Sequence, residues 1–217
     1  MAGQVEKNQS ELPPAQRHII KRPRLTRLLD EAEARVLLLV APAGYGKTTL
    51  AREWATARDR RALWCPLERS ASDPAAMAKS LATAVQPLLQ DEGTRLSQYL
   101  RASAETEPKA LAALLAEETI RWPSNAWLVI DDYHWLLDAR GSEATLREYL
   151  RLTNAQVLMT SRARPSWITA RTLLYGQAFE LGPSALALTH DEAKQVLADK
   201  PQISGALISR HLLRSSP

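Results

Sequence analysis

The stretch Ala41-Pro42-Ala43-Gly44-Tyr45-Gly46-Lys47-Thr48 decides the fold. It follows the apolar run Val36-Leu37-Leu38-Leu39-Val40 and opens a helix from Thr48. Strand, glycine-rich loop and helix in that order define a phosphate-binding loop. Gly44 and Gly46 permit a tight turn that exposes backbone N–H groups to a polyphosphate. The helix start adds free donors and a partial positive charge. Lys47 brings a cation to the β- and γ-phosphates, and the Thr48 hydroxyl is a ligand for Mg²⁺. Ala41 stands where the usual pattern begins with glycine. A methyl group is tolerated there, because the glycines nearest the phosphates are kept.

A second signature lies downstream. Ala126-Trp127-Leu128-Val129-Ile130 is apolar on both faces, as a central parallel strand should be, and runs into Asp131-Asp132. An acid ending such a strand faces the loop helix and holds Mg²⁺, directly or through water. Asp131 is assigned to the metal shell, and Asp132 is the candidate for orienting or activating the attacking water. The alternative for Asp132 is a helix-capping or solvated acid. A third strand, Gln156–Thr160, ends in Thr160-Ser161-Arg162. It lies between the loop strand and the acid strand, so its end sits beside the γ-phosphate. Arg162 is the candidate sensor of that phosphate, against the alternative of a surface arginine. His134 is read as a structural hydrogen-bonder in preference to a contact for water near the γ-phosphate. No other His or Cys stands at metal-ligand spacing to it.

Around these motifs strands and helices alternate, which predicts an α/β domain with a mainly parallel sheet of about five strands. A helix is expected from about Arg24 towards Ala34, and another from Thr48 to about Arg58. A strand is expected over 62–66. Asp73-Pro74 starts a helix running towards Leu89, with Asp73 as N-cap. The polar stretch 91–107 carries no clear pattern. Pro108 begins a helix with Leu111, Leu114, Leu115 and Ile120 at helical spacing. A helix over 142–152 and a strand over 178–181 follow. Thr189 to Glu192 reads as a capping box. Trp54, Trp64 and Trp127 are expected in the core.

Length and composition bound the rest. The 217 residues suit one large α/β domain with attachments. Residues 1–18 are expected to form a flexible arm, 19–198 the domain, and 199–217 a short tail or the start of a following domain. Met1 to Gln16 is polar and no apolar run reaches membrane-spanning length, so a cytoplasmic location without membrane association is expected. Cys65 is the single cysteine, which excludes an internal disulfide. A net charge of +4 is too mild to demand a nucleic-acid partner.

The chain resembles a known family. Arg22-Pro23-Arg24-Leu25, the stretch Ala41 to Leu50, Leu128-Val129-Ile130-Asp131-Asp132-Tyr133-His134, Thr160-Ser161-Arg162 and Leu186 to Ala193 are similar to the ATPase domain of the large MalT-like activators of the LuxR family. These belong to the NB-ARC/STAND-type signalling NTPases. The resemblance covers about residues 20 to 198. It implies a P-loop NTPase fold with strand order 5-1-4-3-2, and a switch that rests with ADP and becomes active with ATP. It also implies self-association in the ATP state, and transcription control through DNA-binding and inducer-sensing domains that do not fit after residue 198. The chain is thus expected to be an excised domain or a truncated relative. By the same resemblance Ile20, Arg22 and Pro23 help cover the adenine, and Thr49 assists the α-phosphate side beside Ala43, Gly44, Tyr45, Gly46, Lys47 and Thr48. The alternatives are a stand-alone AAA-like motor, an interaction module without turnover, and a nucleic-acid-binding domain. For the motor no arginine finger is obvious, Arg164 and Arg171 being the remaining candidates.

Overall fold

The computed structural model describes residues 20–57, 60–89, 94–102, 107–119 and 122–198. The expected arm and tail lie outside these residues, as does Arg58. In chain order the elements are α1 (Pro23–Glu31), β1 (Val36–Val40), α2 (Lys47–Thr56), β2 (Arg61–Pro66), α3 (Pro74–Val85), α4 (Thr94–Ala102) and α5 (Pro108–Glu118). Then come β3 (Ala126–Asp131), α6 (Arg140–Thr153), β4 (Gln156–Ser161), α7 (Ala170–Leu174), β5 (Ala178–Leu181), α8 (Pro183–Leu186) and α9 (His190–Ala198).

The five strands form one sheet in the order β2-β3-β4-β1-β5, every pairing parallel. Read from the other edge this is the expected 5-1-4-3-2. The phosphate-loop strand β1 pairs with β4 from Val36↔Val157 to Val40↔Ser161. The acid strand β3 pairs with the other edge of β4, up to Ile130↔Met159. The ends of β1, β3 and β4 therefore come out side by side.

Successive side chains of a strand point to opposite faces, and β1 shows it. Val36, Leu38 and Val40 join a core with Met77, Leu81, Leu96, Leu111, Leu115, Leu146 and Tyr149. Leu37 and Leu39 join a second core with Leu25, Leu29, Leu50 and Trp54. Helices α3, α4, α5 and α6 thus cover one face, and α1, α2 and α8 the other. Trp54 is fully enclosed, edge-on to Trp127 with ring centroids 4.8 Å apart, and its indole N–H donates to Asp30.

Several local expectations shift. Helix α1 stops at Glu31 and α3 at Val85, the latter continued by a 3-10 turn over Gln86–Leu88. Asp73 caps α3, its carboxylate accepting the Ala76 N–H at 2.8 Å. The unassigned stretch 91–107 contains α4, whose N-terminus is capped by Glu118, which accepts the Arg95 N–H at 2.6 Å. Trp64 and Trp127 are half-buried rather than enclosed, both packed against the core that holds Trp54.

Candidate functional site

The loop 41–48 leaves β1 at the carboxyl edge of the sheet, with Ala41 N–H donating to Ser161 O. Ala41 is fully buried and has no positive φ, so a small residue other than glycine fits there. Gly44 and Gly46 have φ of +87° and +72°, the left-handed region that glycine enters at least cost. Pro42, Ala43, Gly44 and Gly46 are exposed, while Tyr45, Thr48 and Thr49 are half-buried. Tyr45 packs on the core formed by α1 and α2.

The Lys47 ammonium is turned back onto its own loop, donating to Ala41 O at 2.8 Å and Pro42 O at 2.9 Å. Burial pulls its pKa below the ordinary lysine value. Arg162 acts in the same direction, while Asp132 and Asp131 oppose it. These charges share one site: the same four atom groups, counting Lys47 itself, also bear on His134.

Asp131, at the end of β3, is buried and takes two hydroxyl donors on Oδ1. Thr48 donates from the loop helix at 2.9 Å, and Thr160 donates from β4 at 2.6 Å. Thr160 Oγ1 in turn accepts the Asp132 N–H at 2.9 Å. Asp132 has φ +60°, a conformation uncommon outside glycine but most accessible to Asn and Asp. Its side chain stands half open to solvent. Loop, acid strand and central strand are therefore joined through one carboxylate.

Thr48 and Asp131 present oxygen donors 2.9 Å apart beside the loop, a donor set that suits Mg²⁺. Among the described residues no group of three or more His, Cys, Asp or Glu converges. Magnesium needs none, because phosphates and waters complete its shell. The fit of a magnesium ion to these residues is good.

His134 departs from expectation. Neither ring nitrogen has a hydrogen-bond partner, although both are buried. Nδ1 lies 3.5 Å from Asp132 Oδ1, and the ring stacks on Trp135. Burial, then Arg162, holds its pKa below the ordinary histidine value. Arg162 itself is exposed beyond the end of β4.

Sequence reasoning missed two groups. Thr160 is fully buried, and its signal was a hydroxyl residue ending an apolar strand beside the acid strand. The other is Tyr133, whose hydroxyl donates to Glu143 at 2.6 Å and accepts the Trp167 indole N–H at 2.8 Å. It ties the turn after β3 to the segment after β4.

Of the adenine-side candidates, Ile20 is half-buried and Pro23 is exposed at the first turn of α1. Arg22 is buried. Its backbone N–H is shared by both Glu53 oxygens at 3.2 Å. Nη1 donates to Tyr45 O at 3.3 Å, and Nη2 donates to Leu186 O at 2.7 Å and Ala187 O at 3.1 Å. Arg24 donates to Ala185 O, Ala187 O and Glu192. The capping box of α9 forms as expected: Thr189 N–H donates to Glu192 at 2.9 Å, and Glu192 N–H donates to Thr189 Oγ1 at 3.2 Å.

MalT, an HTH-type transcriptional regulator, is 35% identical in Yersinia enterocolitica over 186 residues, covering 83% of this chain and 20% of that protein. The Serratia proteamaculans MalT is 33% identical over 182 residues, with the same shares. The chain thus spans about one fifth of the length of these relatives. A crystal structure of a STAND protein (signal transduction ATPase with numerous domains) with a tetratricopeptide repeat sensor, from Pyrococcus horikoshii, shares the fold. Its TM-score is 0.57 at 22% identity, over 88% of this chain and 27% of that one. None of the helices among the described residues is long and apolar enough to cross a membrane. The family description AAA ATPase domain matches residues 21–161, the span that carries the loop, the acid pair and the end of β4, and the chain belongs to that family.

Proposed function

We propose that residues 19–198 form a nucleotide-dependent switch module of a MalT-like transcriptional regulator, binding ADP or ATP with Mg²⁺ and hydrolysing ATP slowly in the cytoplasm. The arm 1–18 and the tail 199–217 lie outside the module. The observation that carries the reading is the junction at Asp131, where Thr48 and Thr160 meet one carboxylate at 2.9 and 2.6 Å.

In this reading the N–H groups of Ala43 to Thr48 cradle the phosphates, and Thr49 supports the α-phosphate side. Ile20 and Pro23 flank the adenine. Lys47 leaves the carbonyls of Ala41 and Pro42 for the phosphate oxygens. Thr48 and Asp131 hold the metal ion, which when bound neutralises phosphate charge. Asp132 orients the attacking water and accepts its proton, and Arg162 meets the charge that gathers on the γ-phosphoryl group. Self-association in the ATP state, and contact with DNA or an inducer through other parts of a longer protein, complete the switch. Similarity to MalT over 83% of the chain supports the regulatory role over that of a motor.

Denaturing the purified chain and identifying released nucleotide by chromatography tests this. Stoichiometric ADP is the expected result. Lys47→Ala is expected to abolish nucleotide binding, and unchanged affinity in that variant would remove the reading.

A further inference from the structure

We propose that Arg22 is a positioning residue for the phosphate loop: it anchors the Tyr45 carbonyl, which turns the Gly46 N–H into the loop's mouth, and fastens that anchor to the α8–α9 turn. The proposal rests on the reading of 41–48 as a phosphate-binding loop.

The argument starts from the peptide unit. Every described peptide bond is trans, so the carbonyl of Tyr45 and the N–H of Gly46 point in opposite directions from one plane. Arg22, itself buried, takes that carbonyl through Nη1 at 3.3 Å. A Cβ placed on Gly46 would lie 3.8 Å from the same Nη1, so the guanidinium lies against this peptide. With the carbonyl held towards Arg22, the Gly46 N–H points away from it, and Gly46 is exposed, so a phosphate oxygen could accept that N–H. Gly46 at φ +72° has broad freedom, and an external anchor removes that freedom.

The anchor is itself fixed. Nη2 bonds the carbonyls of Leu186 and Ala187, and the Glu192 carboxylate lies 3.6 Å away. Glu53 of α2 holds the Arg22 backbone. A planar guanidinium holds carbonyls of two segments on two separate nitrogens in a fixed fork, a geometry that the single nitrogen of an ammonium does not reproduce. Both Nη groups are committed to backbone and the residue is 6% exposed, which leaves little of the guanidinium to cover a base. Only Nε lacks a partner.

The test separates phosphate from adenine. Displacement of a fluorescent ADP analogue from the full chain, with Mg²⁺, is measured for ADP and for inorganic tripolyphosphate, in wild type, Arg22→Gln and Arg22→Lys. Melting without ligand reports folding. Both variants are expected to weaken both probes by the same factor, on the order of tenfold, as for one lost hydrogen bond to a charged group. If Arg22→Gln does not fold, Arg22→Lys carries the comparison. Weakening of ADP alone would assign Arg22 to the adenine and overturn the proposal, as would no weakening or full rescue by lysine. A wild type that binds ADP but not tripolyphosphate overturns it too. A wild type that binds neither overturns the phosphate-loop reading itself.

Discussion

At the residue scale the site turns on a threonine. Thr160 donates to Asp131 and accepts from the Asp132 backbone, so one hydroxyl sets both acids relative to β4. Thr160→Val keeps the shape and removes both bonds. The expected cost is about 2 kcal/mol of stability, since a buried carboxylate loses a donor. Urea unfolding checks this. ATP turnover is expected to fall by about tenfold, the equivalent of about 1.4 kcal/mol, with ADP affinity little changed. Turnover at the wild-type rate would show that Asp131 and Asp132 are placed without it. Loop, acids and Arg162 could be singled out in the sequence because phosphate chemistry demands fixed residue types at fixed spacing, and the fold brings their charges to one place. Thr160 was not, since a hydroxyl ending a strand has no pattern until register sets it beside Asp131. The partners of Arg22 were equally hidden, because Leu186 offers only a backbone carbonyl, which every residue has.

At the scale of elements, strands read more clearly than short helices. All five strands were legible: β1, β3 and β4 are buried almost throughout and read as near-continuous apolar runs, and the partly exposed edge strands β2 and β5 keep enough apolar residues to be read. Helix α4 was not: Leu96, Tyr99 and Leu100 are spaced for a helix, but its cap is Glu118, a residue from another element. Helices α7 and α8 have five and four residues, too few for a period to register. Helix α2 is held by Trp54, which meets Trp127 edge-on and carries the Arg60 guanidinium 4.1 Å above its ring. Trp54→Ala is expected to cost about 3–5 kcal/mol through the cavity it leaves. Calorimetry of the nucleotide-free variant would measure that loss, and a shift below about 1 kcal/mol would mean that the helix packs without it.

For the whole molecule, buried acids set an upper pH limit. Burial pushes the Cys65 thiol from an ordinary 9.0 up to about 12. Burial also raises the Tyr133 and Tyr149 hydroxyls, helped at Tyr133 by Glu143 and opposed at Tyr149 by Thr119. The folded chain therefore keeps protons that the unfolded chain releases. Stability contributed by Cys65 is complete below pH 9.0 and declines towards about 12. A fully shifted group loses about 1.4 kcal/mol per pH unit in that window. Urea midpoints at pH 8 and 10.5 are expected to diverge, and less so in Cys65→Ala, which removes the thiol's share. Equal divergence in both chains would mean that Cys65 does not contribute.

The bond from Arg22 to Leu186 joins residues 164 apart in sequence. It closes nearly the whole described chain into a ring, so the segment before α1 and the turn between α8 and α9 meet at one cluster of backbone carbonyls. Tension applied between α1 and α9 would load the bonds from Arg22 and Arg24 to Leu186, Ala187 and Glu192. A pull transmitted from a neighbouring part of a longer protein would thus reach the loop 41–48 directly, through the Tyr45 carbonyl.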